Sequence, residues 1–256
     1  MRPSRFPRLV VARTVVSGLL VAGILSSVTP GKSSPAGKSA DNDGWIQLFN
    51  GKDLTGWKMV NPPSGEFKSV TAKTNAEGKV IAYVGTLKNG KEETLWRVEN
   101  GTIIGGGHSS HLFTEGGDYD NFRYRVEAKI NDHGNSGQYF RTKFGPGFPA
   151  GYEAQINATH RDPIRTGSLY PDGRTKLKQH AKEITVMYTA PNKPDEYFTQ
   201  EVIADGPHIV ILVNGKKTLD WTDPDKTFTR GHFALQGHDP GSVMTFKKVE
   251  YQPLKK

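Results

Sequence analysis

The clearest pattern in the chain is strict alternation. In FRYRVEAKI, Phe122, Tyr124, Val126, Ala128 and Ile130 fall on one face, and Arg123, Arg125, Glu127 and Lys129 on the other. A two-residue period is that of a strand with one face in a core and one in water. No long stretch carries the 3.6-residue period of a helix. Asn-Gly pairs recur at 50–51, 89–90, 100–101 and 214–215. Several join runs of strand formers, as in WRVENGTIIGG and HIVILVNGKKTLDW, and these predict hairpins with type I′ turns. Many short strands with closely spaced turns predict an all-β fold, a sandwich or jelly roll. The stretch GWIQLFNGKDLTGW, residues 44–57, reads in the same way. Ile46, Leu48 and Phe49 are strand, Asn50-Gly51 is a turn, and Trp45 and Trp57 are packing at the sandwich edge rather than platforms for a sugar. Residues 159–182 are polar and irregular, with two prolines, and predict a long loop of the kind that carries function.

The first residues break this pattern. Arg2, Arg5, Arg8 and Arg13 precede an apolar run, Val15 to Leu25, which gives way to small and polar residues. This is the layout of a secretory signal peptide, expected over residues 1–28. The run is short for a membrane span, which takes roughly 20 apolar residues; an uncleaved signal anchor is the alternative. A Ser/Gly/Pro/Ala linker follows over 29–43, and a single domain over 44–256. The expected location is therefore outside the cytoplasm, periplasmic or extracellular. The formal charge of +8 owes six of its units to Arg2, Arg5, Arg8, Arg13, Lys32 and Lys38, which no acid offsets before residue 41. The domain itself is nearly balanced, which argues against a nucleic-acid partner. No membrane contact beyond the leader is expected, and the pattern gives no oligomeric state. There is no cysteine, so no disulfide supports the fold and no lipid anchor is attached through one. A domain of this length buries an adequate core without a crosslink.

Three segments carry unusual polar faces. In GYEAQIN, Tyr152, Ala154 and Ile156 alternate with Glu153, Gln155 and Asn157. In GNSGQYFRT, Asn135, Gly137, Tyr139 and Arg141 share a face, and in GHFALQGH, Phe233 and Leu235 alternate with Gln236 and His238. Glu127 lies on the polar face of its own strand. Solvated faces favour Lys and Glu; amides, an Arg and a His give directed hydrogen bonds to hydroxyls. Side by side, such strands would make a polar concave floor suited to a sugar; the alternative is a hydrated outer face. His108 and His111 in GGGHSSH lack a third metal ligand at a telling distance. Gly105 to Gly107 lack the Lys-Ser/Thr of a phosphate loop, and no Gly-x-Ser-x-Gly elbow is present. Glu153 is followed four residues on by Asn157, so a carboxylate pair on one strand is missing. Two-carboxylate glycoside hydrolysis is disfavoured unless Glu127 supplies the partner.

GWIQLFNGKDLTGW, WRVENGTIIGGG, YDNFRYRVEAKI, GNSGQYFRT, GYEAQIN, TGSLY, DEYFTQEVIADGPHIVILVNGKKTLDW and GHFALQGHDPGSVMTFKKVEYQPL, taken in order, resemble the 3-keto-disaccharide hydrolase domain family. The resemblance implies a concanavalin A-like jelly roll, two antiparallel sheets with a sugar on the concave face. It also implies an enzyme that hydrolyses glycosides oxidised to a ketone at C3. Base removal of the C2 proton, loss of the C1 substituent and addition of water would complete that reaction. On this reading Glu153 is the base, supported by Gln155. His238 is a second base or an acid, and Arg141 stabilises the enolate oxygen. Asn135, Gln236 and Tyr170 hold hydroxyls. A divalent metal could serve in place of Arg141; no other cofactor is implied. Residues 59–95 look like an insertion that could reshape the cleft rim. Lys247-Lys248 and Tyr197 depart from the family pattern at positions that look structural. Two rival readings remain: a non-catalytic carbohydrate-binding module, and a two-carboxylate hydrolase of unoxidised glycans using Glu127 and Glu153.

Overall fold

The computed structural model describes residues 43–61 and 65–255; the predicted leader, and all but the last residue of the predicted linker, lie outside the described residues. Alternating segments pair into two antiparallel sheets. The larger has ten strands. Its order is β13 (Lys216–Thr222), β12 (His208–Val213), β11 (Phe198–Asp205), β8 (Phe122–Ile130), β15 (Met244–Pro253), β6 (Thr102–Gly105), β5 (Glu92–Glu99), β4 (Val80–Leu87) and β3 (Phe67–Thr74), with β1 (Ile46–Gln47) paired to β15. The smaller has five, in the order β10 (Tyr152–Ile156), β9 (Ser136–Thr142), β14 (His232–Gly237), β7 (Ser110–Thr114) and β2 (Trp57–Lys58). The result is the expected concanavalin A-like jelly-roll sandwich.

The inward faces meet in one apolar core. The alternation of β8 is realised residue by residue, with Phe122, Tyr124, Val126, Ala128 and Ile130 buried and the residues between them half-exposed. Phe233 lies between the rings of Tyr119 and Tyr124, with centroids at 4.1 and 4.0 Å. Two amides cross this core. Gln138 Nε2 donates to Tyr124 O at 3.0 Å, and Gln200 Nε2 donates to Gln138 Oε1 at 3.2 Å. A buried polar group left unpaired costs about 1–3 kcal/mol, so these bonds hold the two sheets in one relative position.

The Asn-Gly pairs divide. Asn100-Gly101 and Asn214-Gly215 both have positive φ at each residue (51° and 73°, 49° and 75°), as a type I′ turn requires. At 89–90 the glycine alone is left-handed. Asn50 uses its side chain instead, accepting from the backbone N–H of Lys52 and Asp53 at 2.8 and 2.9 Å, which makes a local turn and no hairpin. Trp57 is buried, with Nε1 donating to Leu48 O at 2.8 Å. Trp45 is covered by the Arg125 guanidinium, 4.1 Å from its ring centroid. Both tryptophans are packing residues. Within 59–95, residues 67–95 build the β3–β4 hairpin and the first part of β5 at one edge of the larger sheet. The loop expected at 159–182 ends in two short helical turns, Lys176–His180 and Ala181–Ile184, which bury Leu177 and Ile184.

Two of the candidate residues lie elsewhere than the sequence suggests. Glu127 stands on β8 of the larger sheet, on the face turned away from the core, where Lys247 Nζ donates to it at 3.1 Å. Alternation fixes a side chain's face but not the sheet its strand joins. Arg141 leaves the face it should share with Tyr139 because the strand bulges there. Its φ is 49°, and the pairing of β9 with β14 slips between His232 and Ala234. The side chain is 2 % exposed and donates to three backbone carbonyls, Asp120, Gly206 and Phe228, with Nη1 at 2.7 Å from Gly206 O. It ties three loops together with a charge that, among the described residues, no carboxylate pairs with directly.

That assignment gives a stability test. Arg141→Met orphans three carbonyls and should cost about 3 kcal/mol. The thermal midpoint should fall by about 5–10 °C for a domain of this size. The protein that remains folded should keep the wild-type turnover number. A large fall in turnover at unchanged stability would return Arg141 to the site.

Candidate functional site

The outer face of the smaller sheet borders a cavity of about 340 Å³, lined by Asn135, Glu153, Gln155 and Gln236 on the floor, His238 at one side, and Phe148, Tyr170 and residues 172–174 above. Among the described residues of 59–95, none lines it. The floor follows from strand register. Glu153 pairs with Tyr139 across β10 and β9, and Gln155 with Gly137. Gln236 pairs with His111 across β14 and β7. On the cavity side these strands place Glu153, Gln155 and Gln236 beside Gly137, Tyr139 and His111, while Phe140, Tyr152, Ala154, Ile156, Phe233 and Leu235 turn to the core.

Glu153 is 8 % exposed. Its side chain folds over Gly137, where a Cβ would stand 2.4 Å from Glu153 Oε1; a glycine on the polar face of a strand marks this close approach. Tyr139 Oη donates to Glu153 Oε2 at 2.6 Å, and Gln236 Nε2 donates to Tyr139 Oη at 3.1 Å. With its amide nitrogen turned inward, Gln155 donates to Ser136 O at 2.9 Å and to Glu153 Oε1 at 3.3 Å. Burial pushes the Glu153 carboxyl up to about 8; the Tyr139 hydrogen bond opposes the rise and the charges of Asp172 and Asp162 add to it. Gln236 is 1 % exposed, and its Oε1 has no partner among the described residues. Gln236 lines the cavity, and this oxygen is a buried acceptor.

His238 is set by Asp239. Asp239 Oδ2 lies 2.7 Å from His238 Nδ1, so Nδ1 carries the proton and Nε2 is left to act on a ligand. Ser242 Oγ and the Gly241 N–H hold Asp239 in turn, at 3.0 and 2.9 Å. His160 completes the group. Its Nε2 is 3.7 Å from Asp239 Oδ2, and its Nδ1 accepts from the Asp162 N–H at 3.1 Å. Asn135 Nδ2 lies 3.3 Å from the same Nδ1. Donor atoms of His160, His238 and Asp239 all fall within 4.8 Å of one another. Two imidazoles and a carboxylate are ligand types suited to a divalent transition ion, so this cluster is where the site could hold one. His108 and His111 do not form such a pair. His108 bonds Glu93 and Glu66, while His111 is buried under Tyr139 and Phe148, and burial drives its imidazole down to about 3.

The upper wall comes from two loops. Residues 157–197 leave β10 and return along its free edge: Gln155 N donates to Ser168 O at 2.9 Å, and Tyr170 N to Glu153 O at 2.8 Å. Tyr170 Oη then reaches Asp162 Oδ2 at 3.2 Å. Arg174 forms a fork on Asp172, Nε to Oδ1 at 2.8 Å and Nη2 to Oδ2 at 2.6 Å. Burial works against the Asp172 carboxylate, but these bonds hold it below its ordinary value. The guanidinium stands 4.9 Å from the Phe148 ring, which is 43 % exposed.

Of the residues singled out from sequence, Glu153, Gln155, Asn135, Gln236, His238 and Tyr170 are brought together, and Glu127 and Arg141 are not. The sequence reading left out Asp172, Arg174, Phe148, His160 and Asp239. It placed Tyr139 and Gly137 on the right face without giving them a role. The isolated glycine between Asn135 and Tyr139 was the available signal for Gly137. A turn reading Pro-Asp-Gly-Arg was the signal for the Asp172–Arg174 pair.

Residues 44–252 match the family described as the 3-keto-alpha-glucoside-1,2-lyase-like domain. Among solved structures, the chain is similar to one from Parabacteroides distasonis ATCC 8503 designated a candidate glycosyl hydrolase. The two are 23 % identical with a TM-score of 0.53, over 83 % of this chain and 95 % of that one. A second protein from the same organism and of the same designation is 19 % identical, with a TM-score of 0.52, over 82 % and 99 % of the two chains. No curated protein matches the chain. At these identities the structural likeness carries the fold.

The buried carboxyl makes stability depend on pH. The folded protein holds the Glu153 proton up to about 8, whereas the unfolded chain releases it near 4.5. Stability from this group is therefore complete below the unfolded value and is lost as pH rises through about 8. Glu153→Gln should gain on the wild type between pH 5 and pH 9 by on the order of 3 kcal/mol. Gly137→Ala, whose methyl would displace the carboxyl toward water, should flatten the same dependence. Parallel melting curves for wild type and Glu153→Gln across that range would mean the carboxyl is not desolvated.

Proposed function

The chain belongs to the 3-keto-alpha-glucoside-1,2-lyase-like domain family, and from that premise we propose that it cleaves glycosides carrying a ketone at C3, by elimination followed by hydration. Carbohydrate is the ligand class. Export of the domain, read from the basic and apolar start of the chain, is part of the same proposal. The observation that carries the reading is the buried carboxyl of Glu153, alone on an amide-rich floor and raised to about 8. Its base form has the strength needed to take a proton made acidic by the neighbouring ketone.

The steps balance without a second carboxylate. Glu153 takes the C2 proton, the C–H electron pair becomes the C2–C3 double bond, and the carbonyl pair moves onto O3. The enolate returns that pair as the C1–O bond breaks, and the departing oxygen takes a proton from His238 when its imidazole is charged. Water then adds to C1 of the enone, giving its proton to His238 Nε2, and Glu153 returns its own proton to C2. Gln155 orients Glu153; Asn135, Gln236 and Tyr170 are placed to hold hydroxyls. An ion at His160, His238 and Asp239 would supply Lewis acidity at the same wall and would displace His238 from proton transfer.

The test is product analysis on a 3-keto-glycoside and its unoxidised counterpart, with and without a chelator. The expected result is cleavage of the keto sugar alone. Glu153→Gln should lose about 10²–10⁴ in kcat, and kcat/KM should rise with pH through about 8 as the base form appears. Loss of activity with chelator would assign an ion to the histidine cluster. Cleavage of the unoxidised sugar, or binding with no turnover of either, would overturn the reading in favour of a conventional hydrolase or a binding module.

A further inference from the structure

We infer that Arg174 is the group that receives the negative charge on the substrate's C3 oxygen; this assignment rests on the elimination reading above. When Glu153 takes the C2 proton, a full charge develops on O3 inside a cavity whose floor is buried. A charge in such a place needs a donor already aimed at it. Arg141 is excluded, because it does not line the cavity and spends four of its five N–H donors on three backbone carbonyls. Among the residues lining the cavity, Arg174 is the permanent cation.

Its geometry suits the role. Asp172 takes Nε and one proton of Nη2, which fixes the plane of the guanidinium. The second Nη2 proton and both Nη1 protons make no hydrogen bond among the described residues and remain for a ligand. The ring of Phe148 backs the guanidinium from the other loop. Arg174 thus has a charge, a fixed orientation and three unspent donors at the cavity, whereas Arg141 spends four of its five N–H donors on backbone carbonyls and does not line the cavity. The pair also acts on the base in opposite directions: Asp172 raises the proton affinity of Glu153 and Arg174 lowers it. An oxyanion formed on the Arg174 side of the cavity feels the cation more than the carboxylate behind it, so stabilisation appears with the transition state.

The experiment measures kcat, KM and the pH profile of full-length wild type, Arg174→Ala, Arg174→Lys and Arg141→Lys on a 3-keto-glycoside. Thermal midpoints check that each variant is folded. Arg174→Ala should lose about 10²–10³ in kcat with a smaller change in KM. The rise of activity with pH should move to higher pH, because the cation that lowers Glu153 is gone. Added guanidinium ion should restore part of the lost kcat. Arg174→Lys should fall between, keeping the charge without the fork, and Arg141→Lys should keep the wild-type kcat in whatever fraction folds. Wild-type cleavage with an unchanged kcat in Arg174→Ala, or a loss confined to KM, would overturn the assignment alone. Failure of the wild type to cleave the keto sugar would overturn the elimination reading and this assignment with it.

Discussion

The burial of one carboxyl group sets the conditions for everything around it. An isolated carboxylate costs too much in an apolar interior to stay charged, and it responds by holding its proton. Glu153 is kept from water by parts that depend on one another. Gly137 leaves room for its side chain, Tyr139 donates to it, and the segment 157–197 closes over the edge of β10. That segment is anchored from inside the sandwich: Gly167 N donates to Gln200 Oε1 at 3.1 Å, and Gly167 O accepts from Thr218 Oγ1 at 2.8 Å. Gln200 is also the amide that reaches Gln138 across the core. A polar contact between the sheets therefore holds the loop that dries the cavity, and the dryness raises the proton affinity of the base.

Much of this was legible in the sequence, and what was not has a common cause. Alternation placed Glu153, Gln155, Asn135, Gln236 and His238 on polar faces, because a two-residue period survives whatever the strand pairs with. It could not say that β8 joins the larger sheet, so Glu127 was grouped with residues that lie on the other side of the core. It could not foresee the bulge at Arg141, where one residue in a left-handed conformation moves the side chain out of the row. Nor could it bring Asp172 and Arg174 to the cavity. They are local partners two residues apart, but their distance from Glu153 is set by how a forty-residue excursion returns to its own strand edge. Asn-Gly pairs marked hairpins where strands flank them closely, and the turn expected at 50–51 is closed by the side chain of Asn50 itself.

The two arginines separate scaffold from function more sharply than burial alone does. Both are fixed by several hydrogen bonds, but Arg141 ends on carbonyls, which cannot be neutralised or moved without unfolding a loop. Arg174 ends on a carboxylate at the cavity wall, half-exposed, with donors to spare. A guanidinium carries five N–H donors in a rigid fork; counting how many are spent decides whether it can still address a ligand. The same count applies to Gln236, whose nitrogen is used by Tyr139 and whose oxygen is not.

The Glu153 carboxyl and the His238 imidazole are tuned by opposite means, and the contrast bears on the kind of chemistry the site can support. Glu153 gains proton affinity from desolvation. His238 is held by a hydrogen-bonded carboxylate, Asp239, that sets which nitrogen carries its proton. A hydrolase built on two carboxylates needs one of them ionised beside the other and both within reach of a single bond. Here the acidic neighbours, Asp172 and Asp239, are each bound to a cationic or protonated partner, and Glu127 lies on the far sheet. What remains facing the cavity is one buried carboxyl, one imidazole and one arginine with donors to spare. Those are the parts required to move a proton from carbon and to hold the charge it leaves behind.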